Sequence, residues 1–322
     1  MGRGANEVTA ALALFTDDLA EPLALAREAL WASPVPGEDP AEHWPGLEDR
    51  IRSGRTIGAL WTREGVARGI ALWSRPGPLG VAVGLLYLRA AEASTSEYRA
   101  FLEAIARTAG PLAFVSSPLS GLAPQVEEET MRGVGFAPYS RSEMTLALAG
   151  SEPARPPLPD RRVRPFRPED APLAARIPRR AYEGRFDRYL FLEDLDPARD
   201  AETLVGDLVR GRWGEFLADA SMVVEENGVP AGTTLVVRSP RGPLIADVAT
   251  DPTQVGHGVG RAALEGTLRA LRERGETHVR LAVTEGNRRA IALYEKLGFA
   301  RTLGPAREWY HTGRVPVSPS SG

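Results

Sequence analysis

The stretch VATDPTQVGHGVGRAALEGTLRAL (residues 248–271) decides the fold prediction. It places Gly256, Gly258 and Gly260 at alternate positions, immediately before a run with apolar residues at helical spacing. Glycine takes positive φ without strain and lets a ligand approach the backbone closely. A strand that runs through such a loop into a helix presents N–H groups and the positive end of the helix dipole at one point. The pattern therefore indicates a phosphate-binding loop or a tight turn that binds nothing.

Strand and helix patterns alternate on both sides of this loop. The order is a hairpin about Asn227 and Gly228 (221–239), a strand (243–250), the loop, a helix (260–275), a strand (277–285), a short helix (287–299) and a last strand (300–310). This order predicts an α/β fold in which a central mixed sheet is flanked by helices.

The length of 322 residues predicts two domains. Residues 151–162 are rich in proline and arginine and have no apolar periodicity, which is typical of a linker. We therefore expect domains at 1–150 and 163–313, with a loose tail at 314–322. The first half repeats the order of elements, which suggests a diverged duplication, but its RAAEASTSEY (89–98) contains no glycine where the loop would lie.

Composition excludes several classes of function. The net charge of −3 and the pI near 6.0 give no reason to expect nucleic acid or an anionic membrane as partner. The absence of cysteine excludes disulfides, thiolate metal ligands and a cysteine nucleophile, and we expect no metal. No apolar run reaches the ~18 residues of a membrane span, and no signal peptide is evident. These features predict a cytoplasmic protein. We expect it to be a monomer or a homodimer.

The sequence lacks residues that two familiar phosphate-binding loops require. The dinucleotide fingerprint GxGxxG needs a glycine where Arg261 stands. The nucleoside triphosphate loop needs a Gly-Lys-Ser/Thr triplet, but the only lysine is Lys296. The sequence therefore supports neither ligand.

The opening stretch, followed by NRRAIALYEKLGF (287–299), resembles the coenzyme A loop and the downstream helix of the GNAT N-acetyltransferase superfamily. In that family the loop reads Gln/Arg-x-x-Gly-x-Gly/Ala, and Gly258 and Gly260 fill the two small positions. Val255 stands where Gln or Arg is usual, a departure that leaves the backbone N–H groups intact. The resemblance covers about residues 161–313, and it implies a tandem protein whose N-terminal copy is degenerate.

This resemblance implies that acetyl-CoA, or another acyl-CoA, is the cosubstrate. Its pyrophosphate would lie on the glycine loop, and its pantetheine arm would pair with the preceding strand, where one N–H would polarise the thioester carbonyl. The residues implied to bind it are Val248, Ala249, Thr250, Val255, Gly256, His257, Gly258, Val259, Gly260, Arg261 and Asn287. Tyr294 would protonate the departing thiolate. Because an amine attacks the thioester directly, no enzyme nucleophile is needed.

Two of these residues have a structural alternative. Asn287 is also a preferred N-cap for the helix that starts at Arg288, and the two roles are compatible. Tyr294 lies in register with Ala290, Ile291 and other apolar residues, so it also fits a core position.

The sequence leaves the general base open. Many relatives carry a glutamate on the strand before the second motif, but Ala282 occupies that position here. Asp247 is the nearest carboxylate on the strand before the loop, Glu285 is the second candidate, and His257 is the least suitable. A water relay fits equally well.

The acceptor pocket is expected between the first two helices of the second half. Aromatic rings and carboxylates alternate there and would suit a cationic amine; the candidates are Phe191, Glu193, Asp194 and Trp213. We predict an N-acetyltransferase that acts on a primary amine of a small molecule or a peptide. The alternative is a non-catalytic acyl-CoA-binding or regulatory module, which Val255 and Ala282 favour.

Overall fold

The computed structural model describes residues 10–32, 39–73, 80–89, 94–116, 123–149, 161–191, 200–211, 213–315 and 319. The described residues form two compact units. The first unit contains the described residues up to Tyr139 and residues 306–315. The second unit contains the described residues from 140 to 305. Each unit is a mixed sheet with helices packed on it, as the sequence predicts.

The first unit is built around five consecutive strands. Its elements are β1 (Ala10–Leu14), α1 (Ala20–Ala32), α2 (Pro40–Arg52), β2 (Ile57–Arg63), β3 (Val66–Trp73), β4 (Val81–Leu88), α3 (Thr95–Ala109), β5 (Leu112–Val115) and α4 (Pro124–Gly133). The strands lie in the order β1-β2-β3-β4-β5, and only the pair β4–β5 is parallel.

The second unit repeats this arrangement. Its elements are most of β6 (Phe136–Ala147), β7 (Arg161–Pro165), α5 (Ala171–Ala181), α6 (Asp200–Val209), β8 (Glu215–Phe216), β9 (Met222–Glu226), β10 (Val229–Ser239), β11 (Gly242–Thr250), α7 (Val259–Glu273), β12 (His278–Thr284), α8 (Arg288–Lys296) and the first part of β13 (Ala300–His311). The strand order is β6-β12-β11-β10-β9-β7, and β11–β12 is the parallel pair. Among the described helices, none is long and apolar enough to cross a membrane.

Local signals account for the elements around the loop. The hairpin β9–β10 turns at Asn227 and Gly228, both with positive φ, which confirms the predicted turn. Helix α7 buries Leu264, Leu268 and Leu271 in a core that includes residues of β11 and β12. Full burial of one such leucine contributes about 2 kcal/mol, so this apolar face fixes the helix against the sheet.

Each unit includes a strand from the other half of the sequence, which the predicted domains 1–150 and 163–313 did not anticipate. Residues 141–147 of β6 pair with β12 in the second unit. In the first unit, Trp309 and Tyr310 of β13 pair with β5. Strand β7 starts at Arg161, inside the predicted linker 151–162, of which residues 151–160 lie outside the described residues.

The duplication extends to an irregularity in the sheet. In the first unit the pairing of β3 with β4 shifts between Leu72 and Trp73. In the second unit the pairing of β10 with β11 shifts between Leu235 and Val236. In each unit the extra residue of the bulge lies on the strand that pairs with the parallel neighbour, β4 or β11, and it bends the strand that leads toward the loop position. The two halves can therefore be compared residue by residue.

Candidate active site

The second unit has an opening between its two parallel strands. Within the described sheet, β11 pairs with β12 at Leu244–Arg280 and Ile245–Leu281, and the pairing stops there. Strand β11 continues on β10 as far as Thr250, while β12 continues on β6 as far as Thr284. The two strands therefore separate toward their carboxyl ends, so that backbone groups facing the gap are available to an extended ligand.

The glycine loop begins with a capped turn. Asp251 accepts hydrogen bonds from the backbone N and the hydroxyl of Thr253, at 3.0 and 2.7 Å, and its second oxygen accepts from Arg180 at 2.6 Å. The backbone N–H of His257 then donates to Gln254. These contacts fix the entry to the loop.

The loop itself presents backbone donors. Gly256 (φ +94°) and Gly258 (φ +83°) are left-handed, and Gly258 is an N-cap without a side-chain cap. The first carbonyl to accept a helical bond is that of Gly258, from Ala262 at 3.0 Å. The N–H groups of Val259, Gly260 and Arg261 precede that bond and have no acceptor within the helix. A helix N-terminus with open donors is suited to a phosphate.

Gly260 meets a different requirement. A Cβ at this position would lie 3.1 Å from the Thr250 hydroxyl, so the small residue allows α7 to start close to the end of β11. Val255 precedes the loop in an extended conformation. Arg261 pairs with Glu265 one turn along α7, its Nε 2.8 Å from a carboxylate oxygen.

Asp247 is a buried carboxylate at the opening. It lies beyond the bulge on β11, in the part of the strand that no longer pairs with β12. The Tyr182 hydroxyl, at the end of α5, donates to its Oδ1 at 2.6 Å and lies 3.3 Å from the carbonyl oxygen of Val248. Its Oδ2 is buried and has no hydrogen-bond partner within the described residues. One carboxylate oxygen is thus oriented by the protein while the other is left without a donor.

The environment of Asp247 changes its acidity. Burial raises the pKa of its carboxyl to about 6, against the opposing effects of the Tyr182 hydroxyl and the backbone of Val248. A carboxyl with this pKa is ionised at neutral pH and can still take up a proton from a reacting group.

Tyr294 lies on α8, is almost fully buried and packs near Phe299, with ring centroids 5.9 Å apart. Burial, followed by the negative charges of Asp247 and Asp187, raises the pKa of its hydroxyl well above the usual value. The phenol therefore keeps its proton across the physiological range. Tyr294 occupies a core position, and the charge of Asp247 acts on its hydroxyl, so this placement fits the structural role and the acid role together.

Asn287 caps α8 and also meets an aspartate. Its Oδ1 accepts from the N–H of Ala290 at 3.2 Å, and its Nδ2 donates to Asp187 at 3.1 Å. Asp187 also accepts from the hydroxyl of Thr284 at 2.6 Å. An amide nitrogen carries two N–H groups, so Asn287 retains one donor for a ligand while it caps the helix.

The remaining predicted residues are placed as follows. Val248 packs against the core beneath α7, Ala249 is buried, and Thr250 ends β11. Trp213 packs against the cluster under α5 and α6. Glu193 and Asp194 lie outside the described residues, as does the side chain of Phe191.

Glu285, the second candidate base, is engaged elsewhere. It accepts a hydrogen bond from Ser142 and pairs with Arg301 at 3.3 Å. These two partners lower the pKa of its carboxyl. A carboxylate held in this way is a poor proton acceptor, so Asp247 is the better placed of the two. Among the described residues, no group of three or more metal-ligating side chains is gathered together.

Sequence reasoning missed the partners of these groups. The sequence predicts no role for Tyr182 as a partner of Asp247, and it does not single out Asp187 or Arg161. Their contacts join residues 65 to 100 positions apart, and no local pattern signals such a contact. The acidic and aromatic composition of residues 182–191 is the one hint that the sequence contains.

The first unit has apolar residues at the positions that correspond to Asp247 and Tyr294 of the second unit. Leu85 pairs with Leu72 beside the bulge, as Asp247 pairs with Leu235, so Leu85 occupies the position of Asp247. Met131 stands four residues before its Gly-Phe pair, as Tyr294 does, and is fully buried. The first unit therefore carries apolar side chains at both positions.

Comparison with known proteins agrees with this geometry. A model of the acetyltransferase (GNAT) family matches residues 186–299. A mycothiol acetyltransferase from Thermomonospora curvata is 32% identical over 259 residues, 78% of this chain and 81% of that protein. The chain belongs to the GNAT acetyltransferase family. Family membership supports an acyl-transferring enzyme, and it confirms the expected resemblance.

Solved GNAT structures show the same fold over nearly the whole chain. A GCN5-related N-acetyltransferase from Sphaerobacter thermophilus has a TM-score of 0.61 at 18% identity and covers 93% of this chain and 95% of its own. A tandem GNAT protein from the clavulanic acid biosynthesis pathway has a TM-score of 0.54 at 15% identity, covering 94% and 97%. Some other matches are short: a mycothiol acetyltransferase from Catenulispora acidiphila is 48% identical over 54 residues, which are 17% of this chain and 17% of that protein.

Proposed function

We propose that this GNAT protein transfers an acetyl group from acetyl-CoA to a primary amine of a small molecule or a peptide. The observation that carries the proposal is the buried carboxylate of Asp247, whose Oδ2 has no donor in the described structure and which is electrostatically coupled to Tyr294. An amine that attacks a thioester must lose a proton, and the departing thiolate must gain one. Asp247 would accept the proton of the amine, and Tyr294 would donate a proton to the thiolate.

The open donors at the start of α7 support binding of the pyrophosphate of coenzyme A. The unpaired edge of β11 from Val248 to Thr250 is available to the pantetheine arm, and the second N–H of Asn287 is a further donor for it. A backbone N–H of β11 would stabilise the negative charge that develops on the thioester oxygen.

In the proposed reaction the amine nitrogen forms a bond to the acetyl carbon and the carbon–sulfur bond breaks. Asp247 takes the proton released by the amine, and Tyr294 gives its proton to the sulfur. Because burial keeps Tyr294 protonated and leaves Asp247 ionised above about pH 6, both groups are in the required state at neutral pH.

The test is a calorimetric titration with acetyl-CoA, followed by measurement of CoA release with a panel of amines. The panel includes amines related to mycothiol, because relatives carry that name, and a peptide with a free N-terminus. We expect binding and turnover. Binding without turnover for every amine would support a non-catalytic acyl-CoA-binding module. Ala282 favours this alternative, because it stands on β12 where many relatives carry a glutamate.

Tyr294→Phe is expected to lower kcat by about 10²-fold and to leave the Kd for acetyl-CoA unchanged, because only the donated proton is lost. Steady-state kinetics and calorimetry measure the two quantities. Tyr98→Phe is the matched control, since Tyr98 is a fully buried tyrosine of the first unit. Equal kcat in Tyr294→Phe and wild type would exclude the acid role.

Tyr182→Phe is expected to move the acidic limb of the kcat/KM profile upward by about one pH unit. The hydroxyl of Tyr182 donates to Asp247 and favours its charged form, so its removal raises the pKa of the carboxyl above about 6. A pH–rate profile measured from pH 5 to 9 checks this shift. An unmoved acidic limb would show that Asp247 is not the titrating base.

A further inference from the structure

A buried arginine donates a hydrogen bond to the backbone of the glycine loop. Arg161, the first residue of β7, donates through Nη2 to the carbonyl oxygen of His257 at 2.8 Å. Its Nε lies 2.5 Å from a carboxylate oxygen of Glu226 on β9. Its Nη1 would lie 3.3 Å from a Cβ at Gly258. The side chain is 7% exposed, so the guanidinium faces the loop and its neutralising partner rather than solvent.

We propose that Arg161 is a positioning residue that orients the His257–Gly258 peptide for binding of the coenzyme A pyrophosphate; this rests on the function proposed above. In a trans peptide the C=O and the following N–H point in opposite directions. Holding the carbonyl of His257 toward Arg161 therefore directs the N–H of Gly258 away from it, to the other side of the loop. The same peptide leads into the open donors of α7.

The contacts within the loop, such as that from the N–H of His257 to Gln254, precede the His257–Gly258 peptide and do not bind its carbonyl oxygen. Gly256 and Gly258 are left-handed and carry no side chains, and the N-cap makes no side-chain hydrogen bond. Peptides between glycines rotate easily, and ordering them costs free energy. A contact that fixes one peptide before the ligand arrives lowers the cost of binding.

Arginine is better suited to this role than lysine. Its planar fork donates to Glu226 through Nε and to His257 through Nη2 at the same time. A lysine ammonium in the same place keeps the charge but not the two directed contacts. Glu226 is 18% exposed and balances the charge of Arg161, so the pair adds orientation to the loop rather than a net field.

The experiment compares two acetyl donors in wild type, Arg161→Gln and Arg161→Lys. Acetyl-CoA carries the pyrophosphate, and S-acetylpantetheine lacks it. For Arg161→Gln we expect KM for acetyl-CoA and the calorimetric Kd for CoA to rise by about 10- to 100-fold, with kcat nearly unchanged. The kcat/KM for S-acetylpantetheine should stay at the wild-type value, and Arg161→Lys should recover only part of the loss.

The matched control is Arg162→Gln, since Arg162 is the next residue on β7 and is 69% exposed. It should behave as wild type with both donors. Equal loss with both donors in the two Arg161 variants would show a general structural role and overturn the proposal, as would unchanged CoA affinity. If wild type itself bound no CoA, the proposed function would fail as well, whereas tight CoA binding by wild type and by both variants would overturn the role of Arg161 alone.

Discussion

Asp247→Asn is expected to lower kcat/KM by at least about 10²-fold and, at the same time, to make the folded protein more stable at neutral pH. The loss of activity follows because an amide cannot accept the proton of the attacking amine. The gain in stability follows because the wild-type carboxyl is buried and its Oδ2 has no partner in the described structure. An uncompensated buried charge is costly, and asparagine removes the charge at nearly constant volume.

The sign of the pH dependence follows from the pKa of Asp247, which is raised to about 6 in the folded protein from an ordinary value near 3.8. Protonation therefore stabilises the fold, and that contribution is fully present below about pH 4 and is lost as the pH rises through about 6. The difference between these two pKa values corresponds to about 3 kcal/mol. Asp247→Asn should equal wild type in stability near pH 4 and exceed it by up to about 3 kcal/mol above pH 6.

Denaturant unfolding at pH 4.5 and pH 8 measures this difference. Asp219→Asn is the matched control, because Asp219 is 60% exposed and should change neither stability nor activity appreciably. A variant that loses activity without gaining stability at pH 8 would show that Asp247 is not an uncompensated buried charge. A variant that keeps its activity would exclude Asp247 as the base.

The parts of the site that the sequence predicts are those encoded locally. The backbone is left-handed at Gly256 and Gly258, a conformation that glycine adopts without strain, and the order of strand, loop and helix places both residues at a helix start. Asn287 caps α8 as its position suggests. These predictions depend on residues within a few positions of one another, where backbone geometry dictates the outcome.

The parts that the sequence does not predict depend on distant contacts. Tyr182 reaches Asp247 across 65 positions, and Arg161 reaches His257 across 96. The position of Asp247 at the opening also depends on the bulge between Leu235 and Val236, which no residue type in the sequence predicts. The sequence does not decide whether Asp247, Glu285 or water is the general base. The structure disfavours Glu285, because Ser142 and Arg301 bind its carboxylate.

The exchange of strands between the two halves of the sequence is another long-range feature that the sequence does not predict. The Gly-Phe repeats at 135–136 and 298–299 reveal a duplication, but two similar strands can pair with either of two similar partners. The structure pairs β6 with β12 and the end of β13 with β5. The sequence boundaries at 150 and 163 therefore separate the two repeats but not the two compact units.

Removing residues 1–160 is consequently expected to unfold the second half rather than release an independent acetyltransferase domain. The deletion takes away the neighbour of β12 at seven consecutive register pairs, from His278–Ala147 to Thr284–Arg141. It also removes Met144, Leu146 and Leu148, three buried side chains of the core beneath α7. Truncation of one such side chain costs about 2–5 kcal/mol, so loss of all three exceeds the ~5–15 kcal/mol that stabilises a typical domain or consumes most of it.

The measurement is the circular dichroism and thermal unfolding of residues 161–322, alone and after co-expression with residues 1–149. Alone, the fragment should lack a cooperative transition, since Trp309 and β12 have lost their partner strands. Co-expression should restore a cooperative transition and CoA binding, because the second fragment supplies β6. A fragment that folds and binds CoA alone would show that β13 can replace β6 beside β12, and the observed pairing would then be a preference between two similar strands rather than a requirement of the fold.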